Sequence, residues 1–171
     1  VQKIAESVGV REPSVYHFFR NREALVEAAH VERYRRSHIE MVQPFQAGAA
    51  LADNADDFRR IVKKILSLVY VAERETLRST RMSVLGAAQT SPAIADAIRE
   101  INFEICSGIV TVFTAAQEKN WMRKDIDPIA SAYWIIGQIV GRSIAEMDKG
   151  RVDLTQWNSA SEGAILHHLF G

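Results

Sequence analysis

Residues of the types that carry catalysis or bind metals are few in this chain, and their spacing does not make them converge. Glu27 and His30 form one Glu-x-x-His unit, the i, i+3 pair that brings a carboxylate and an imidazole to one helix face in di-metal helical enzymes. Such a site needs a second unit and two more inward glutamates, and the sequence holds no second unit. His167 and His168 are adjacent, so on a helix they diverge by about 100° and cannot chelate one ion. Cys106 is the single cysteine; it excludes an intrachain disulfide and a cysteine-rich zinc site, and its apolar surroundings predict a buried, inert thiol. No Gly-rich loop is present to cradle phosphates. No catalytic residue, metal or cofactor is expected. What the sequence concentrates instead is hydrogen-bonding capacity: Arg11, Glu12, Ser14, Tyr16 and His17 fall in one short stretch, as groups able to reach base edges or phosphates.

The elements that must position these residues read as helices throughout. Ile4, Ala5 and Val8 have helical spacing and Gly9 stops that helix; Glu12–Phe19 is a second short helix with Pro13 in its first turn. Gly9 can take φ > 0, and Val8, Val10, Val15 and Phe19 are expected to form the small core between the two. Two short helices joined by a tight Gly turn outline a helix-turn-helix, whose second helix enters the DNA major groove. Asn21 caps a third helix, which should end before Pro44, with Ala47–Asn54 as a connection. Further helices are expected from Asp56 to about Arg74 (Phe58, Ile61, Ile65, Leu68 and Val69 on one stripe), over Leu77–Ala88, and from Ser91-Pro92 to near Asn120. Asp127-Pro128 opens one reaching Lys149, and Thr155–Leu169 makes the last. The fold class is all-α, about eight helices with no strand.

The stretch IAESVGVREPSVYHFFRNREALVEA resembles the DNA-binding domain of the tetracycline-repressor (TetR) family. Ile4-Ala5, Gly9-Val10, Ser14-Val15-Tyr16, Phe18-Phe19 and Asn21-Arg22-Glu23 with Leu25 carry the likeness, which covers about residues 1–30. The resemblance implies a helix-turn-helix DNA-binding domain with its linking helix over 1–42, and a helical ligand-binding and dimerisation bundle over 43–171. It implies that Gln2, Glu12, Pro13 and Tyr16 face the groove while Ser14, His17 and Arg22 touch or flank the backbone. Glu12 can accept from a cytosine amino group or repel phosphate, and its role stays open. Arg11 stands where Ser or Thr commonly caps the recognition helix. The chain starts at Val1 rather than Met, and the family pattern leads one to expect a further helix, often basic, ahead of it.

In the longer part, Asp127–Lys149 is apolar on two sides. Ile129, Tyr133, Ile136, Val140 and Ile144 make one stripe; Ala130, Trp134, Gly137, Gly141 and Ala145 make a small-residue face suited to close helix approach. With Trp157, Ser161, Ala164 and Ile165 of the last helix, that face suits a four-helix contact across a two-fold axis; the competing reading is a helix central to one subunit. Tyr70, Met82, Asn102, Cys106, Phe113, Trp134 and Gln138 are polar or soft groups on otherwise apolar stripes, the candidates for lining a ligand pocket. Their mix favours a hydrophobic or aromatic small molecule.

Composition bounds the rest. With 171 residues, 47% of them hydrophobic and only 9 Gly and 4 Pro, the chain can bury a real core. The longest apolar run, Ala132 to Gly141, contains Gln138 and falls short of a membrane span, so a soluble, cytoplasmic protein without a membrane partner is expected. Lysine plus arginine and aspartate plus glutamate both number 21, which excludes a polybasic nucleic-acid sponge. The neutrality is an average: residues 1–22 carry four basic and two acidic groups, the remainder seventeen and nineteen. The expected partners are double-stranded operator DNA, a small hydrophobic or aromatic effector and a second copy of the chain. The competing classes are a helical di-metal enzyme built on Glu27 and His30, and a helical interaction protein with an idle helix-turn-helix.

Overall fold

A computed structural model describes the backbone of residues 1–171 and all side chains except those of residues 39–41. Among the described residues there is no strand. The chain order is α1 Gln2–Ser7, α2 Glu12–Phe18, α3 Arg22–Ala50, α4 Ala55–Val69, a 3₁₀ turn Ala72–Arg74, α5 Glu75–Ala88, α6 Pro92–Glu118, α7 Pro128–Met147 and α8 Leu154–Phe170.

Most helix starts follow from side chains that satisfy the free N–H groups of a first turn. Asn21 accepts from Ala24 N, Asn54 from Asp57 N, Ser91 from Ile94 N, Asp127 from Ala130 N and Asp153 from Thr155 N and Gln156 N. Pro92 and Pro128 occupy first-turn positions whose N–H would have no partner in any case. Asp56 and Asp57 add negative charge at the positive end of α4.

Three expectations need correcting. Helix α3 does not stop before Pro44 but runs through it to Ala50. The proline deletes one ladder donor, and tertiary contacts beyond it hold the chain helical. Phe45 is buried in the core, Gln46 Nε2 donates to Gly108 O at 3.3 Å, and Gly48 sits against Ile61. The helix from Asp56 ends at Val69 rather than near Arg74, because the chain turns there through the 3₁₀ segment, where Val69 O and Val71 O accept from the Arg78 guanidinium. Its buried stripe is Phe58, Val62, Leu66 and Val69, with Leu68 outside. On α7 the inward face is Ser131, Ala132, Ile135, Arg142, Ser143, Ala145 and Glu146, so both expected stripes lie largely off the subunit's own core.

The core has two lobes. One gathers Phe45, Phe58, Val62, Leu66, Phe113, Ile135, Ile165 and Leu169 from α3, α4, α6, α7 and α8. The other gathers Tyr34, Val84, Ile94, Ile98, Ile101 and Ile105 from α3, α5 and α6. At about 1.5–3 kcal/mol for each large apolar side chain buried, these lobes are the main favourable term of the fold. Helix α6 approaches α3 so closely that a Cβ on Gly108 would stand 2.8 Å from Val42 Cγ1. No described helix is long and apolar enough to cross a membrane.

Candidate DNA-reading head and effector cavity

The amino-terminal pair is built around one residue and one turn. Ala5 is 1% exposed and is the buried residue of α1. Gly9 sits at φ +71°, and Val10 N donates back to Ala5 O at 3.0 Å, closing the turn that redirects the chain into α2. Arg11 is extended and makes no side-chain cap, as its place in the sequence implied; the first turn of α2 closes instead through Ser14 N to Arg11 O at 2.9 Å. The expected small core is only partly present. Val15 and Phe19 are half-buried, while Val8 and Val10 are exposed. Two helices of six and seven residues share a single seam, and Ala5 occupies it.

This arrangement turns hydrogen-bonding groups outward. Gln2, Arg11, Pro13, Ser14, Tyr16, His17 and Arg22 are exposed and Glu12 is half-buried, so the expected DNA-facing residues share one solvent-facing head. Gln2 donates to Glu6 one turn on, and His17 meets the Phe18 ring edge-on. Helix α3 starts three residues after α2 and is tied to the bundle along its length. Glu27 Oε1 accepts from Ser91 Oγ at 2.7 Å, Tyr34 Oη donates to Asn102 Oδ1 at 2.8 Å, and Arg35 pairs with Glu104 at 2.9 Å. Glu27 is thus engaged as a strut between α3 and α6. No group of three or more His, Cys, Asp or Glu side chains that could hold a metal ion occurs among the described residues.

A cavity of about 100 Å³ lies between the two lobes. Its walls come from α3 (His38, Val42, Phe45), α4 (Val62, Leu66, Val69), α6 (Ile105, Ile109, Phe113), α7 (Ile135, Ile139) and α8 (Ile165, Leu169). Arg74, Leu77, Arg78 and Arg81 form the end nearest α5. Of the seven residues singled out for a pocket, the structure places Phe113 in this wall. Tyr70 Oη shares a hydrogen bond with Ser161 Oγ at 2.7 Å, Asn102 is occupied by Tyr34, and Trp134 lies tilted against the His168 ring. Cys106 is buried beside Tyr133, and burial pushes its thiol up to about 11, so it stays protonated. Met82 and Gln138 are half-buried away from that wall.

Sequence reasoning missed the polar groups of this region. Arg78, Arg142 and Glu146 are 1%, 3% and 7% exposed and form one ion-paired group joining α5 to α7. Arg78 Nε reaches Glu146 Oε1 at 3.0 Å, and Arg142 Nε donates to Asn158 Oδ1 at 2.6 Å on α8. Burial lowers the Arg142 pKa, with Arg78 adding repulsion. Arg81 donates to Ser37 Oγ at 3.1 Å and to Ser37 O. The available signal was that Arg74, Arg78 and Arg81 follow the i, i+4, i+7 spacing of an inward stripe.

On the dimer candidates, Ala145, Ser161 and Ile165 are buried within their own subunit. Ala130, Trp134, Gly137 and Ala164 are exposed, Gly141 and Trp157 half-buried. The outer face of α7 also displays Ile129, Tyr133, Ile144 (67% exposed) and Met147.

A helix-turn-helix head thus adjoins a long helix that leads into a bundle with a cavity. Residues 1–29 match the family model of bacterial regulatory proteins, tetR family. The same fold recurs over nearly the whole chain in solved structures. A protein from Rhodococcus sp. assigned to the TetR-family transcriptional regulators is 20% identical over 96% of this chain and 84% of its own, with TM-score 0.68. Another so assigned, from Mesorhizobium loti, gives 16%, 99%, 86% and 0.72. The transcriptional regulator FadR from Bacillus subtilis, solved in complex with stearoyl-CoA, gives 16%, 97%, 86% and 0.64. No curated protein sequence matches the chain. The chain therefore joins a tetR-family amino-terminal segment to the TetR-family regulator fold.

Proposed function

We propose that this chain is a ligand-responsive transcriptional regulator, most simply a repressor, that binds operator DNA as a homodimer and leaves it when a small hydrophobic molecule fills the cavity. The observation that carries this reading is α3 itself. One end adjoins the outward-facing α2, and its middle supplies His38, Val42 and Phe45 to the cavity wall. From Arg22 to His38 the helix rises about 24 Å, so a tilt of about 5° at the cavity moves its amino-terminal end by about 2 Å. In a dimer whose two α2 helices must enter grooves about 34–36 Å apart, displacements of that order on both sides spoil the register. A near-complete switch needs a differential affinity of about 5.5 kcal/mol between the two arrangements, within reach of apolar burial. The acyl thioester held by FadR on this fold is one ligand with a large apolar body.

The reading excludes a catalytic role for Glu27 and His30 and takes the cytoplasm as the site of action. Selection of genomic fragments by the full chain, followed by sequencing, tests it. The expected result is one enriched near-palindrome bound with a steep salt dependence; uniform recovery of fragments would overturn it.

A further inference from the structure

Among the described residues that line the cavity, His38 carries a buried ring nitrogen without a hydrogen-bond partner, which a shift of the wall would open to a ligand. His38 is 5% exposed. Its Nδ1 lies 3.0 Å from Tyr34 O and 3.0 Å from Ser37 Oγ, while Nε2 is buried and without a hydrogen-bond partner. The tautomer follows from the neighbours. A carbonyl oxygen can only accept, so the short approach of Tyr34 O requires the proton on Nδ1. The Ser37 hydroxyl spends its own hydrogen on Tyr34 O at 2.7 Å and accepts from Arg81 Nε, which is consistent with that assignment. The other ring nitrogen is then a bare lone pair, an acceptor. Leaving such a group unpaired is costly, and a ligand hydroxyl is one way to supply the missing donor.

Resting on the cavity as the effector site, we infer that the effector is an apolar molecule bearing a hydroxyl, a phenol or alcohol, whose O–H donates to His38 Nε2. The rest of the wall sets the remaining chemistry. Val42, Ile109, Phe113 and Ile139 offer only hydrocarbon to the body of the ligand. A cationic head is disfavoured, because the buried trio Arg78, Glu146 and Arg142 carries two guanidiniums to one carboxylate. A carboxylate head gains nothing from Nε2, where two lone pairs would meet. The wall's arginines are already engaged: Arg78 donates to Glu146, Val69 O and Val71 O, Arg81 donates to Ser37 Oγ and O, and Arg74 has a partner too. Burial, helped by the Arg81 charge, holds the imidazole down at about 3, so His38 stays an acceptor across the physiological range.

Calorimetric titration of the full chain with para-butylphenol, its methyl ether and para-butylbenzoate tests this. The phenol is expected to bind at least about tenfold tighter than the ether, which keeps the oxygen but has no proton to give. His38→Phe should bring the phenol to the affinity of the ether, while His38→Gln, which can turn an amide oxygen to the same place, keeps a preference for the phenol. Equal binding of phenol and ether to the unmodified chain, or tightest binding by the benzoate, overturns the inference without touching the cavity reading. The cavity reading itself fails, and the inference with it, if none of the three binds. It fails equally if Ile109→Trp, which fills the space, leaves binding unchanged.

Discussion

At the scale of single residues, the molecule separates groups that face water from groups that are forced to do without it. Tyr16 belongs to the first kind: it is 43% exposed and stands on the outward side of α2. Tyr16→Ala should therefore cost about 1–3 kcal/mol in binding to the selected operator, read by fluorescence anisotropy, while the unfolding midpoint stays where it was. A parallel loss of stability would mean that the ring packs rather than reads. His38 belongs to the second kind. Its ordinary pKa of 6.5 falls to about 3 in the fold, chiefly through burial. The folded value lies below the unfolded one, so the unfolded chain takes up the proton first. The contribution of His38 is thus fully present above pH 6.5 and is lost as pH falls towards 3. Its share of the slope is about 1.4 kcal/mol per pH unit. Urea titrations at about pH 6.5 and about pH 5 should show the unmodified chain losing roughly 2 kcal/mol more than His38→Gln. Matching losses in both proteins would place the sensitivity elsewhere.

At the scale of elements, caps and buried charges do different work. The ion-paired group of Arg78, Glu146 and Arg142 joins α5 to α7, and Arg142 extends it to Asn158 on α8. Glu146→Gln preserves volume but strands two guanidiniums that are 1% and 3% exposed. A loss of about 3–5 kcal/mol is expected in chemical denaturation, a cost of unpaired buried charge rather than of a cavity. A change below about 1 kcal/mol would show that the arginines find other partners. Such groups also mark the limit of reading a sequence. Asn54, Ser91-Pro92 and Asp127-Pro128 announce helix starts because capping is local chemistry, decided within four residues. The helix through Pro44 is decided by Phe45, Gln46 and Gly48 meeting α4 and α6, contacts that lie far along the chain. The helix-turn-helix was legible because its turn, Gly9, and its exposed groups are consecutive. The cavity was not: its polar atoms are Arg and His side chains, which taken singly read as solvated surface. Phe113 was found because aromatic residues on an apolar stripe point inward whatever they face.

At the scale of the whole molecule, the outstanding feature is the outer surface of α7. Beside an inward face of Ile135, Ala145 and the Arg142–Glu146 pair, the helix displays Ile129, Ile144 and Met147 outward, with Tyr133 and Trp134, which touch Cys106 and His168, still partly exposed among them. These apolar groups flank Gly137 and Gly141, one turn apart, so the centre of the face is flat and its rim is bulky. That relief suits a second copy of the same helix crossing at close range, as an isologous contact requires. The glycines allow a clean experiment, because a Cβ built on either meets nothing within 4 Å in the subunit. Gly137→Leu consequently has room in the monomer and even replaces a residue of poor helix propensity, at a gain of up to about 1 kcal/mol. In a dimer the same isobutyl group lands between two backbones. Light scattering should find the unmodified chain at twice the subunit mass and the variant shifted to the subunit mass, with helicity retained by circular dichroism. Affinity for a full operator should fall far more than affinity for a half-site, since only the dimer spans two grooves. A variant that keeps the dimer mass would move the interface off this face.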